Sequence, residues 1–275
     1  MSFWLLFGYS EWMNEHEIYP NAPVVLVALE VRHPTADPLT PSESRAIKKL
    51  LSDQLPIERP GQQMNVQIVP GSPNPAVMTT EHFPRFTNRE TTLSVSIRKE
   101  AVVIEASDYP GWEDFRALAL RALDARMQIA PIVGVERVGL RYIDEIRTPD
   151  EGDWANWIHP SLLGPNASIA NLPLNQWQGL GIYGSQPGNM LVLRYGPREG
   201  FAVDPSSDLR RVKPVDGGLF FLMDVDSFWT PDGPIPEYDR DLLISTCNDL
   251  HTPVRALFED MITSRLRNEV LRKND

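Results

Sequence analysis

Residues 134–146 read GVERVGLRYIDEI, and their alternation decides the fold. Apolar side chains recur at every second position of this stretch, with Asp144 as the exception: Val138, Leu140, Tyr142 and Ile146. The intervening positions form the other side: Arg137, Gly139, Arg141, Ile143 and Glu145. A period of two is typical of a β-strand with one buried face. The stretch therefore predicts a strand that packs on a core and presents two arginines on its second face.

Further strands are predicted on both sides of this stretch. Each segment is β-branched, apolar or alternating, and most are bounded by Pro, Gly or Asn: 22–34, 64–69, 91–109 as a hairpin, 176–184, 189–196 and 217–229. The segments 176–184 and 189–196 are predicted to pair around Pro187-Gly188. The strands outnumber the helices that could cross between them, which favours largely antiparallel pairing.

Helical periodicity predicts four helices: 40–56, 111–129, a short one at 153–163 and a long one at 239–273. The first has the signature of a capping box, with Thr40 as N-cap, Pro41 at the first helical position and Glu43 three residues after the cap. Pro253 lies within the apolar stripe of the last helix and should kink it.

Both halves then have the order strand, helix, strand, strand, strand, helix. The fold class is α+β, with two pseudo-repeats, 18–130 and 131–275, packed as one compact body. The sheets should be largely antiparallel, with helices on one face. Alignment of the halves places Glu105 on Asp224 and Glu30 on Arg141, which suggests a duplication.

Residues 1–17 form an N-terminal extension. Its apolar stretch, 1–12, is too short to span a bilayer and lacks the positive leader and cleavage site of a signal peptide. A start at Met13 and a genuine peripheral segment both remain open. No membrane association is expected.

Composition excludes several function classes. A net charge of −11 argues against bulk nucleic-acid binding, although a local basic patch is still allowed. The single cysteine, Cys247, excludes an intrachain disulfide framework and a Cys-rich metal site. The five histidines are scattered, so no metal site and no cofactor are predicted.

Three motifs resemble functional signatures but fit simpler interpretations better. GLGIYG at 179–184 matches the dinucleotide-binding pattern, but a strand rather than a helix is predicted after it. Asp224 and Asp226 lack the spacing of a calcium loop, which favours a solvated strand end. Cys247 and His251 lie one turn apart, yet Cys247 falls on the apolar stripe, which favours packing over nucleophilic chemistry.

The two arginines of the opening stretch allow two interpretations. With Glu30, Arg32, Arg98 and Glu105, they form a cross-strand charge ladder that stabilises the sheet. Alternatively, Gly139 leaves a floor without side chains between two guanidiniums, which seats a carboxylate or phosphate. The residues assigned to this candidate site are Arg137, Gly139, Arg141 and Tyr142.

Three motifs in this order, IYPNAPVVLVALEVR, RVGLRYIDEI and LHTPVRALFEDMIT, resemble a sporadically distributed family of bacterial proteins without an assigned activity. The resemblance covers Ile18 to the last helix, with Pro253 as a departure, and implies a bacterial, cytoplasmic protein. Patchy distribution is what genes linked to mobile elements or defence show.

Two function classes follow. The first is a non-enzymatic binding or regulatory protein for a protein partner or small anionic ligand, with a homodimer among the allowed assemblies. The second is an enzyme of unrecognised type that uses Arg137 and Arg141 with an acid such as Glu105 or Glu145. A deep pocket containing Arg141 and a carboxylate would favour the enzyme, and a flat face would favour the binding protein.

Overall fold

The protein is described by a computed structural model that covers residues 17–68, 76–150, 152–164, 176–186, 188–212 and 217–273. The strands are β1 (Val24–Arg32), β2 (Ile57–Glu58), β3 (Gly61–Ile68), β4 (Ala76–Phe83), β5 (Arg85–Thr87), β6 (Leu93–Ile97), β7 (Ala101–Ala106), β8 (Arg137–Ile146), β9 (Gly179–Gln186), β10 (Asn189–Gly200) and β11 (Gly218–Trp229). The helices are α1 (Pro41–Leu51), α2 (Trp112–Ile129), α3 (Arg240–Met261) and the short α4 (Ser264–Leu266). The N-terminal extension and the Met13 start lie outside the described residues, apart from Glu17.

Nine strands form one antiparallel sheet in the order β2-β5-β6-β7-β1-β8-β11-β10-β9. The predicted α+β class with a large antiparallel sheet is confirmed. Strands β1 and β8 pair at the centre, with Leu29 opposite Leu140, so the sheet runs through residues from both halves of the chain.

One face of the sheet carries the core. Alternate side chains of the central strands are fully buried on this face: Val27, Leu29, Val31, Ile104, Leu140 and Val225. Helices α2 and α3 pack against them, with Phe115 and Leu123 from α2 and Leu243 and Leu250 from α3 in the same cluster. Burial of this much apolar surface is the dominant stabilising term of the fold. The opposite side of the sheet, called the open face below, holds the candidate site.

Local chemistry explains where α1 begins. The Thr40 side chain accepts a hydrogen bond from the Glu43 amide at 3.3 Å, and a Glu43 carboxylate oxygen accepts one from the Thr40 amide at 2.7 Å. This is the predicted capping box, and it satisfies two donors that the first turn leaves unpaired.

The duplication is not confirmed at residue level. The strand order is symmetric about the β1–β8 pair, since β5-β6-β7-β1 mirrors β9-β10-β11-β8. The alignment that places Glu30 on Arg141 also places Ala28 on Gly139, and it places Glu105 on Asp224. Because Ala28 lies opposite Glu105 in the sheet, a duplication would place Gly139 opposite Asp224. Gly139 lies instead opposite Phe228, four positions along β11. The short amphipathic segments therefore match in pattern but not in register.

Two helix predictions were wrong. The segment 153–163 forms two 3-10 turns, Trp154–Asn156 and Pro160–Leu162, because Pro160 cannot donate the bond that an α-helix needs. The last helix ends at Met261 rather than near 273, because Ile262 is extended and forms a bridge with Ile158. Beyond the bridge the chain continues as α4 and the π-helical turn Arg267–Leu271.

Strands β3 and β4 form a separate hairpin outside the main sheet. The sequence predicted the first of these strands but not the second. No Asp, Glu, Lys or Arg occurs from Gly61 to Thr80, and Met64 and Met78 are exposed. The hairpin is anchored where Arg98 lies over the Phe83 ring, 4.9 Å from its centroid.

Candidate functional site: guanidiniums on the open face

The open face presents a cluster of ion pairs across β1, β8, β10 and β11. The cluster comprises four arginines and three carboxylates: Arg32, Arg137, Arg141, Arg194, Glu30, Asp224 and Asp226. Four positive and three negative charges leave a net charge of +1, on a chain whose total is −11. A local cationic patch of this kind attracts anionic groups.

The Arg137 side chain occupies the space above Gly139, which the sequence analysis predicted to be open between the two arginines. A Cβ atom built on Gly139 would overlap the Arg137 guanidinium, so this side chain lies directly over the glycine. The guanidinium also lies 4.6 Å from the Phe228 ring centroid and 3.3 and 3.4 Å from Glu30 and Asp226. Gly139 therefore provides a seat for Arg137 rather than an open floor.

Arg141 is held by Asp224 in a bidentate pair. Its Nε donates to Oδ1 at 2.7 Å and its Nη2 donates to Oδ2 at 2.9 Å. The hydrogen bonds to Asp224 raise the pKa of Arg141 further above its usual value, so the side chain stays charged at any physiological pH. Nη1 has no bond within the described part of the chain and remains available.

Asp224 also contacts a second guanidinium. Nη1 of Arg194 lies 3.6 Å from Oδ2 of Asp224. The Asp224 side chain is only 7% exposed, whereas those of Arg141 and Arg194 are 47% and 51% exposed. A buried carboxylate thus orients two arginines that face solvent, which lowers the ordering cost of binding an anion.

Tyr142 lies on the other side of the sheet. Its hydroxyl is 3.0 Å from the Tyr109 hydroxyl and 3.2 Å from Nδ1 of His251, whose ring stacks on Trp112 at 4.2 Å. Burial raises the pKa of Tyr142 well above its usual value and that of Tyr109 to about 12. The structure therefore brings Arg137, Gly139 and Arg141 together and separates Tyr142 from them.

A second ion-pair group fixes the segment 201–212, called the strap below, on the open face. Glu145 accepts bonds from the Ala202 amide at 2.8 Å, Arg147 at 2.8 Å and Arg211 at 2.9 Å. Burial raises the pKa of Glu145, but these bonds lower it more, and the net pKa is below its usual value. Glu105 pairs similarly with Arg85 at 3.0 Å. Both carboxylates are therefore already engaged in ion pairs.

The strap lines a small cavity beside β1. Its lining includes Leu26, Ser107, Leu209 and Arg211 but neither Arg137 nor Arg141. Three arginines of the cluster are about half exposed: Arg32, Arg141 and Arg194.

Sequence reasoning missed Asp224, Asp226 and Arg194 as members of the cluster, and Phe228 as the ring against the Arg137 guanidinium. The two aspartates were assigned to a solvated strand end, but both lie within β11 and pair with arginines of β8. The alternation of Asp224, Asp226 and Phe228 on one side of a strand was the available signal. Their partners depend on register, which the alternation does not give.

The alternative motifs have structural roles. GLGIYG belongs to β9, which turns into β10 without a helix, as predicted. Cys247 is buried, and burial raises the pKa of its thiol to about 12, which opposes thiolate formation. Nδ1 of His251 lies 3.2 Å from the Tyr142 hydroxyl.

No protein-family model matches this chain, and no curated protein is significantly similar to it. Within the described ranges, no helix has both the length and the apolar character to cross a membrane. No group of three His, Cys, Asp or Glu side chains in those ranges is arranged to hold a metal ion. The geometry of the open face is therefore the main observation that bears on function.

Proposed function

We propose that this protein is a binding module that holds a partner protein on the open face through an acidic, partly apolar surface of that partner. The observation that carries the proposal is the Asp224 carboxylate, which orients the exposed guanidiniums of Arg141 and Arg194. A planar guanidinium with unused donors binds a carboxylate through two parallel hydrogen bonds.

The surroundings of the cluster favour a macromolecule over a small ligand. Small ligands are held in concave sites that bury most of their surface, whereas Arg141 and Arg194 are about half exposed. Apolar side chains continue the same face beyond the arginines, with Met190 exposed and Val192 and Phe228 half-buried. A partner that combines carboxylates with aliphatic groups complements both parts.

An enzyme built on the same residues is less well supported. Acid–base catalysis needs an available carboxyl group in a site that excludes water. Asp224 is shared by two guanidiniums, and Glu105 and Glu145 are each paired with arginine. A partner-binding role requires no further group.

Arg141→Ala should weaken capture of the native partner from cell extract by about tenfold or more, because a charge-assisted hydrogen bond contributes roughly 1.5–3 kcal/mol. Arg141→Lys should restore capture only in part, since an ammonium cannot make the bidentate contact. Quantitative pull-down with the purified full chain as bait measures both effects.

Arg240→Ala is the matched control. Arg240 is also about half exposed and paired with a carboxylate, Asp124 at 3.2 Å, but it begins α3 on the other side of the sheet. Equal capture by the wild type and Arg141→Ala, with unchanged melting temperatures, would show that Arg141 does not contact the partner and serves only in the cross-strand ion pairs. Substrate turnover by the purified protein alone would overturn the binding-module proposal.

A further inference from the structure

We infer that β9 is an interface through which two copies of this chain join their sheets, edge to edge and antiparallel. Strand β9 is the last strand of the nine-stranded sheet and pairs only with β10 among the described strands. Within the described ranges, the backbone donors and acceptors on its outer side pair with no other strand. Such an edge is a ready template for another strand.

The two edges of the sheet differ in protection. The opposite edge is β2, which has only two residues, Ile57–Glu58, and carries an ion pair between Glu58 and Lys48 at 3.5 Å. Short edge strands and charges are the usual means by which proteins block edge pairing. Strand β9 has eight residues, no proline and no charged side chain. An edge left in this state is expected to be covered in the working protein.

The side chains of β9 add an apolar patch. Leu180 and Ile182 are 62% and 61% exposed on the open face, and Met190 of β10 is exposed beside them. Tyr183 is exposed on the opposite side of the same strand. Clustered exposed apolar residues on an edge indicate an interaction surface rather than ordinary solvent exposure.

Charge selects a second copy as the occupant. Two copies that each carry −11 repel one another, so self-association requires a contact without charge. The sequence from Trp154 to Leu193 contains no Asp, Glu, Lys or Arg, and β9 lies within it. Strand β9 is thus a neutral surface at which two acidic copies approach at low electrostatic cost.

The spacing of β9 is self-complementary. In an antiparallel pair with its twofold axis at Gly181, Leu180 of one protomer lies opposite Ile182 of its partner, and the reverse pair forms by symmetry. Both pairs lie on the open face, because Leu180 and Ile182 occupy the same side of the strand. The dimer would place two arginine clusters on one continuous surface.

Sedimentation equilibrium of the full chain at micromolar concentration tests the inference. The wild type should have about twice the chain mass of 31.1 kDa. Ile182→Lys should raise the dimer dissociation constant by at least about tenfold, because each lysine would be desolvated opposite Leu180 of the partner subunit, with the second lysine diagonally across the interface. Val133→Lys, a charge change at an exposed apolar residue of the loop before β8, should leave the dimer intact.

Each other outcome overturns the inference. A wild type that sediments as a monomer excludes the interface. A dimer that Ile182→Lys leaves unchanged lies elsewhere, and dissociation by both lysine variants reflects added charge rather than β9. Because Ile182 is exposed, its substitution should not change the melting temperature, which is measured alongside.

Discussion

Glu145→Ala should lower the free energy of unfolding by about 3–5 kcal/mol, because it removes one partner from a buried charge group. The Glu145 side chain is 1% exposed, while Arg147 and Arg211 are largely buried beside it. Without the carboxylate, both guanidiniums lose this ion pair, and the Ala202 amide loses its acceptor. The strap should lose its attachment to β8, while its bonds from Arg210 to Thr91 and from Ser107 to Arg210 remain. Chemical denaturation measures the change.

Glu199→Ala is the control for this substitution. Glu199 is exposed near the end of β10, so its loss should change the free energy of unfolding by less than about 0.5 kcal/mol. A similarly small change for Glu145→Ala would contradict the role assigned to the strap contacts.

The same carboxylate predicts a pH dependence of stability. The folded-state pKa of Glu145 lies below the unfolded value of about 4.3, so its stabilisation is fully present above that pH. It is lost as the pH falls through the lower folded-state pKa. Glu145→Gln cannot titrate, and its stability should therefore fall less steeply than that of the wild type in this acidic window.

Trp157→Ala should also cost about 3–5 kcal/mol, the usual range for truncation of a buried tryptophan. The side chain is fully buried, and the Arg265 guanidinium lies 4.1 Å from its ring centroid. Its carbonyl oxygen accepts a bond from the Thr263 amide at 3.1 Å, at the break that follows α3. The substitution should therefore loosen the packing between 154–163 and the C-terminal turns.

Trp157→Phe separates packing from hydrogen bonding. The indole N–H has no partner within the described part of the chain, so phenylalanine loses volume but no hydrogen bond. It should cost less than half as much as alanine in the free energy of unfolding. A loss below about 1 kcal/mol for Trp157→Ala would show that this segment does not belong to the core.

Local patterns predicted the elements whose determinants are local. Thr40 and Glu43 identify the start of α1, and the alternation from Val138 to Ile146 identifies β8. Local patterns did not predict the end of α3, which is set by a contact between residues far apart in the sequence. The bridge between Ile158 and Ile262 ends the long helix early, although apolar residues continue beyond it. Pairing across this distance leaves no local periodicity to detect.

The candidate site was predictable in part for the same reason. Arg137 and Arg141 stand out because two arginines interrupt one face of a strand. Their partners follow from register, since Arg141 lies opposite Asp226 but bonds to Asp224, one position along the same face. Such diagonal pairs require the alignment of β8 with β11, which no local pattern contains.

The central claim is that Arg141 and Arg194 recognise an acidic and apolar partner surface. Selection of binding peptides from a random display library, with the wild-type protein as target, tests it most directly. Selected peptides should be rich in Asp or Glu together with Leu or Ile. Their dissociation constants for Arg141→Ala/Arg194→Ala should rise at least about tenfold, equivalent to 1.4 kcal/mol, and should not change for Arg240→Ala. Peptides without acidic residues, or equal binding to the double variant, would contradict the claim.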